Sequence, residues 1–181
     1  MTFDPILHEY RDGETIIPSV TQILKAAGRI DDRWFTAESR ARGSAVHSLC
    51  QRYAQGERFD ALGRPLDSLE YVNALAAWFA DRKPYAIATE SMIDHALNGK
   101  RYAGTYDGLF EIDGKLILTD YKTGTGLKWH PAQIAAYALK VNPHRGLMLY
   151  LRPDGRYREI YISGNDLLDG LSDFKDALAQ S

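Results

Sequence analysis

The chain has 181 residues, 45% hydrophobic and 25% charged, with a formal net charge of −2; such a length and mix fit one folded unit, residues 1–181, with a full core, and exclude a disordered or collagen-like chain. Cys50 is the one cysteine, which excludes an internal disulfide, a multi-thiolate zinc site and a four-cysteine iron–sulfur cluster, so a metal would be held mainly by oxygen and imidazole. The N-terminal stretch carries Asp4, Glu9, Asp12 and Glu14 and no long apolar run, so a soluble, cytoplasmic protein without membrane contact is expected.

The first predicted element is a short helix over 20–27: Ser19 is placed to cap it and Gly28 stops it. A long helix is expected from Trp34 to Gln55, with Val46, Leu49, Cys50 and Tyr53 at spacings of three and four near its end. Residues 66–82 repeat the helical period through Leu69, Val72, Leu75 and Phe79 and stop before Pro84. The texture then turns to β-branched and aromatic residues in YAIATESMID, KRYAGTYDGLFEI and KLILTDYKT, with Asp113-Gly114 between the last two, which predicts three strands. Pro131 opens a helix over 131–140, LMLYLRP and YREIYIS flank Asp154-Gly155 as a second hairpin, and the amphipathic tail from Asn165 is helix. This order of elements describes an α/β core with helices on its faces. Charge is uneven along it: Lys25, Arg29, Arg33, Arg40, Arg42 and Arg52 outnumber three acids in residues 25–52, whereas acids dominate 154–181. A polyanion would approach the first region.

Asp-Gly between two β-like runs favours a two-residue type I′ turn, which sets Ile112 opposite Lys115. Counting outward, Asp107 faces Asp120, and Lys122, two residues on, shares that surface with the pair Leu109 and Leu118. Carboxylates with Cβ atoms roughly 5 Å apart repel unless a cation intervenes. Mg²⁺ or Mn²⁺ suits such oxygen donors, and an adjacent ammonium then helps orient water and stabilise charge developing on phosphorus. The plainer alternative is an Asp–Asp–Lys ion-pair cluster on a solvated sheet edge.

At this point the sequence resembles the PD-(D/E)XK nuclease superfamily, in its RecB-like branch of phage and mitochondrial genome-maintenance exonucleases. The stretches that carry the likeness are PSVTQIL, RGSAVH, the strand with Glu90, AGTYDGLFEIDGKLILTDYKTG and QIAAY. The resemblance implies a restriction-endonuclease-like α/β core, a central mixed β-sheet flanked by helices. It places the family's acidic and lysine positions on Asp107, Asp120 and Lys122. It makes His47 a metal ligand or a neighbour of the metal, and the backbone carbonyl of Tyr121 a further ligand. Glu90 then assists metal binding or water positioning, or is a solvated strand residue. Gln133 and Tyr137, one helical turn apart, contact the substrate or support the site. Arg40 and Arg42 grip phosphates or lie on a solvated helix face, and Trp34, Tyr102 and Trp129 are candidates for stacking on unpaired bases.

The expected activity is a Mg²⁺- or Mn²⁺-dependent DNA exonuclease acting on single-stranded or duplex ends in recombination, repair or phage DNA processing, with a recombination or replication protein as partner. The rivals are a structure-specific endonuclease on the same fold and an inactive DNA-binding accessory module.

Overall fold

The computed structural model describes residues 1–5, 7–31, 33, 36–57, 66–124, 126 and 128–181, with the backbone alone for residues 66–68. Among them, no helix is long and apolar enough to cross a membrane.

The chain opens with three short strands that the sequence reading does not anticipate: β1 (Thr2–Asp4), β2 (Glu9–Asp12) and β3 (Thr15–Ile17), an antiparallel meander. Gly13, at φ 60°, makes the tight turn between β2 and β3, where a positive φ favours glycine. The helix α1 (Val20–Ala26) follows, held by a reciprocal cap in which Ser19 accepts from the Gln22 N–H and the Gln22 side chain accepts from the Ser19 N–H. The Pro18 carbonyl accepts from Ala103 N–H at 3.0 Å, so the PSVTQIL stretch fastens the meander to the central sheet.

The helix α2 spans Ala37–Ala54, capped by Thr36; Trp34 and Phe35, where the sequence begins it, lie outside the described residues. The helix α3 (Leu66–Arg82) matches its predicted span. The main sheet has five strands in the order β4 (Tyr85–Leu97), β5 (Lys100–Ile112), β6 (Lys115–Lys122), β7 (Arg145–Leu151), β8 (Tyr157–Ile162). All neighbours are antiparallel except β6 and β7, which run parallel across α4 (His130–Val141). The sheet is therefore mixed, as expected. Asn98-Gly99 (φ 52° and 79°) and Asp113-Gly114 (φ 50° and 72°) both take the double positive-φ turn that joins twisted strands. The β7–β8 connection is wider than a two-residue turn. Arg152 N–H donates to the Arg156 carbonyl at 3.0 Å, and Gly155 sits at φ 77°.

Two layers of helix cover the sheet. On one face α1, α4 and the last helix, α5 (Asn165–Gln180), bury Leu24, Tyr102, Leu118, Ile134, Met148 and Phe174. On the other, α2 and α3 bury Val46, Trp78, Phe110, Tyr121 and Leu149. Lys100 Nζ donates to the carbonyls of Leu178, Ala179 and Ser181, closing the C-terminal end of α5. Arg29 pairs with Asp173 at 2.9 Å. On the opposite face Glu159 accepts from Trp78 Nε1 at 2.8 Å and from Arg82, tying α3 to β8.

Candidate active site

The β5–β6 register is the one the Asp-Gly turn dictates, with Ile112 opposite Lys115 and Leu109 opposite Leu118. Pairing stops at Gly108 and Thr119, while β6 stays paired with β7 as far as Lys122. Where the next ladder bond would fall, Asp107 Oδ2 accepts from the Tyr121 N–H at 2.5 Å. The strands part, and a carboxylate fills the fork. Asp107 is 6% exposed and Asp120 3%; both strands are interior, so these acids do not sit on a solvated sheet edge.

Lys122 bridges the fork to α4. Its Nζ lies 2.5 Å from Asp120 Oδ2 and donates to Gln133 Oε1 at 3.1 Å. Gln133 Nε2 donates in turn to the Tyr137 hydroxyl at 3.4 Å. The Trp129 ring centroid is 5.3 Å from the same ammonium, near enough for a cation–π contact. Tyr137 lies so close to β5 that a Cβ at Gly104 would fall 2.5 Å from its ring, so this approach requires glycine.

The other helical layer supplies His47, whose Nδ1 is 3.1 Å from Asp107 Oδ1. Strand β4 supplies Glu90. Thr89 pairs with Gly108 and Ser91 with Tyr106, which sets Glu90 opposite Asp107, and its φ of 44° is unusual for a non-glycine residue in a strand. One ligand atom each from His47, Glu90 and Asp107 lies within 4.8 Å of the other two.

Electrostatics fit that convergence. Burial alone raises the Asp107 pKa, but the His47 imidazole, Lys122 and the Tyr121 N–H outweigh it, and the net shift is downward. Asp120 goes up, driven by burial and by the charge of Asp107 against the pull of Lys122. Burial, reinforced by Asp107, pushes Glu90 up to about 7. Burial works to lower His47, yet the charge and hydrogen bond of Asp107 carry it up to about 9. Three acids thus face two cationic groups in a largely dry site. Imidazole nitrogen and carboxylate oxygens together suit a hard or borderline divalent cation, which would supply the missing positive charge. The residues present fit such an ion.

No protein-family model and no curated protein matches the chain. Among solved structures it is similar to the "putative exonuclease" of Eubacterium rectale, at 16% identity over 86% of this chain and 69% of that one, with a TM-score of 0.53. It is similar also to the alkaline exonuclease LHK-Exo of Laribacter hongkongensis, at 13% identity over 91% and 87% of the two chains, TM-score 0.50. A third, SSO0001, is 18% identical over 97% and 81%, TM-score 0.50. The chain shares its fold with these three structures, two of which are exonucleases by name.

Within this fold the remaining sequence candidates separate. Arg40 lines a cavity beside Gln133 and Tyr137. It stands on the His47 side of α2, since seven residues turn a helix by roughly 700°, about 20° short of two full turns. Arg42 is exposed and stands roughly 140° around the same helix from His47; no contact ties it to the cluster among the described residues. Tyr102 is fully buried against Phe174, with its hydroxyl donating to the Ala136 carbonyl at 2.9 Å, so it has no face for a base. Trp129 is half-buried between Lys122 and His130, and Trp34 lies outside the described residues. His130, left without a role in the sequence reading, donates to or accepts from the Tyr150 hydroxyl at 2.9 Å, and burial followed by the nearby Lys122 charge lowers its pKa to about 3. Sequence reasoning missed Tyr10 altogether: its hydroxyl is 2.8 Å from Thr105 Oγ1, two residues from Asp107 on β5. The signal was the alternation of Tyr10 with charged neighbours ahead of Gly13.

Proposed function

We propose that the chain is a Mg²⁺- or Mn²⁺-dependent deoxyribonuclease, an exonuclease that hydrolyses phosphodiester bonds at DNA ends in recombination, repair or phage DNA processing. The observation that carries this reading is the fork between β5 and β6, where Asp107, Asp120 and Lys122 converge with His47 from α2 and Glu90 from β4. The shared fold of the two exonuclease structures supports it.

In this reading Asp107, Asp120, His47 and the Tyr121 carbonyl hold the ion, with Glu90 as a further ligand or a positioner of water. A bound divalent cation supplies Lewis acidity that activates water and offsets phosphate charge. The Lys122 ammonium is held between Asp120 Oδ2 and Gln133 Oε1. From there it stabilises charge building on the phosphate oxygens as water attacks phosphorus and the P–O bond to the leaving group breaks. Gln133 and Tyr137 fix the direction of that ammonium through their hydrogen-bonded chain.

Digestion of end-labelled linear and circular DNA in Mg²⁺, Mn²⁺ or EDTA tests the reading. Linear DNA is shortened from its ends with either metal and is untouched in EDTA, and circular single strands survive. Asp120→Asn and Lys122→Ala each lower turnover by a factor on the order of 10² or more while remaining folded. Near-wild-type turnover in either variant rejects the assignment, and cleavage of circles makes the chain an endonuclease.

A further inference from the structure

Beside the site, lined in part by the N-terminal meander, lies a cavity of about 480 Å³. Gln133 and Tyr137, Gly104 and Thr105 form its floor, so it begins where the Lys122 hydrogen-bonded chain ends. Phe3, His8 and Tyr10 form an aromatic wall: the Phe3 ring centroid is 4.7 Å from that of Tyr10 and 5.9 Å from that of His8. Phe3 keeps 37% of its surface exposed. Lys25 of α1 and Arg40 of α2 supply positive charge on the rim.

From these observations we infer that the cavity receives a single-stranded DNA end, with an unpaired base stacked on Phe3 and the backbone phosphates turned toward Lys25 and Arg40. The inference rests on the nuclease reading and narrows its substrate to an unpaired strand. Aromatic faces beside a cationic edge are what a single strand requires, since bases stack without regard to sequence while phosphates follow positive charge. The volume falls within the range of roughly 300–1,000 Å³ typical of sites for small organic ligands. A nucleotide enters such a space and an intact double helix does not. Continuity with Gln133 and Tyr137 leads the strand toward Lys122.

The test is a binding titration of the full chain, in EDTA so that hydrolysis plays no part, with an oligonucleotide carrying 2-aminopurine at its end. Single-stranded DNA quenches the fluorophore on binding and competes far better than blunt duplex. Phe3→Ala weakens single-strand affinity about 5- to 150-fold, the range of one lost stacking contact, and Phe3→Trp restores it. A 4-thiothymidine end photocrosslinks to the peptide spanning residues 3–10, a readout that needs no variant. Equal affinity of Phe3→Ala and wild type, or crosslinks confined to other peptides, overturns the inference. If Phe3-dependent binding persists in a chain that cleaves no DNA with Mg²⁺ or Mn²⁺, the nuclease reading alone falls. Metal-dependent cleavage with Phe3-independent binding removes this inference alone.

Discussion

Asp107 uses both carboxylate oxygens on the protein itself, Oδ1 toward His47 Nδ1 and Oδ2 toward the Tyr121 N–H. The proton between Asp107 and His47 therefore occupies a place a cation would claim, and a ligating imidazole must be neutral. With His47 shifted to about 9 and Glu90 to about 7, the first holds its proton at pH 7 and the second is about half protonated. Metal binding at pH 7 should then release about one to two protons. Calorimetric titration with Mn²⁺ in buffers of different ionisation enthalpy reads this number directly, and His47→Ala should remove about one proton from it. Heat independent of the buffer would show that His47 and Glu90 are not ligands. At this scale Asp107, Asp120 and Lys122 are legible in the sequence, because one Asp-Gly turn fixes the register and alternation does the rest. His47 and Glu90 come only from the family resemblance, since a helix and an earlier strand reach the fork through tertiary packing that local periodicity does not record.

Elements are legible where a long repeat or a turn dipeptide marks them. α3 and α5 carry sustained helical periods, and Asp113-Gly114 forms the turn it signals. β1, β2 and β3 are three or four residues each, too short for alternation to stand out, and their pairing depends on the support of β5. The α4–α5 contact is likewise invisible in the sequence. Gly170 lies within α5, where alanine would favour an isolated helix by about 1 kcal/mol. A Cβ there would stand 2.6 Å from the Pro131 carbonyl oxygen and 2.7 Å from its carbon, backbone atoms that cannot rotate away. Overpacking of that kind costs about 1–3 kcal/mol, so the close approach outweighs propensity. Urea denaturation should find Gly170→Ala less stable than wild type; equal or greater stability would mean that the two helices separate at little cost. Because α4 also carries Gln133 and Tyr137, the same substitution should slow cleavage through the altered setting of Lys122.

Across the molecule, the layer of α1, α4 and α5 and the layer of α2 and α3 are separated by the sheet, and the fork brings side chains from both sides together. That arrangement concentrates Asp107, Asp120 and Glu90 in one place at the expense of the metal-free fold. Glu90 reads out the conflict. Its folded-state pKa of about 7 lies above the ordinary 4.5, so below pH 4.5 both folded and unfolded chains hold the proton and the site costs nothing. As pH rises from 4.5 to 7 the unfolded chain releases a proton that the folded chain retains, and stability falls, with the whole loss present above 7. In a chelator, Glu90→Gln should therefore melt at a higher temperature than wild type at pH 8, and at the same temperature near pH 4.5. Mg²⁺ narrows the difference at pH 8. At a hundredfold excess over its dissociation constant an ion that binds only the folded chain adds about 2.7 kcal/mol, or roughly 5–10 °C for a chain of this size. Glu90→Gln should forfeit most of that gain. A lower melting temperature for the variant in chelator at pH 8 would show that Glu90 stabilises the bare fold; an unchanged Mg²⁺ increment would place the ion elsewhere.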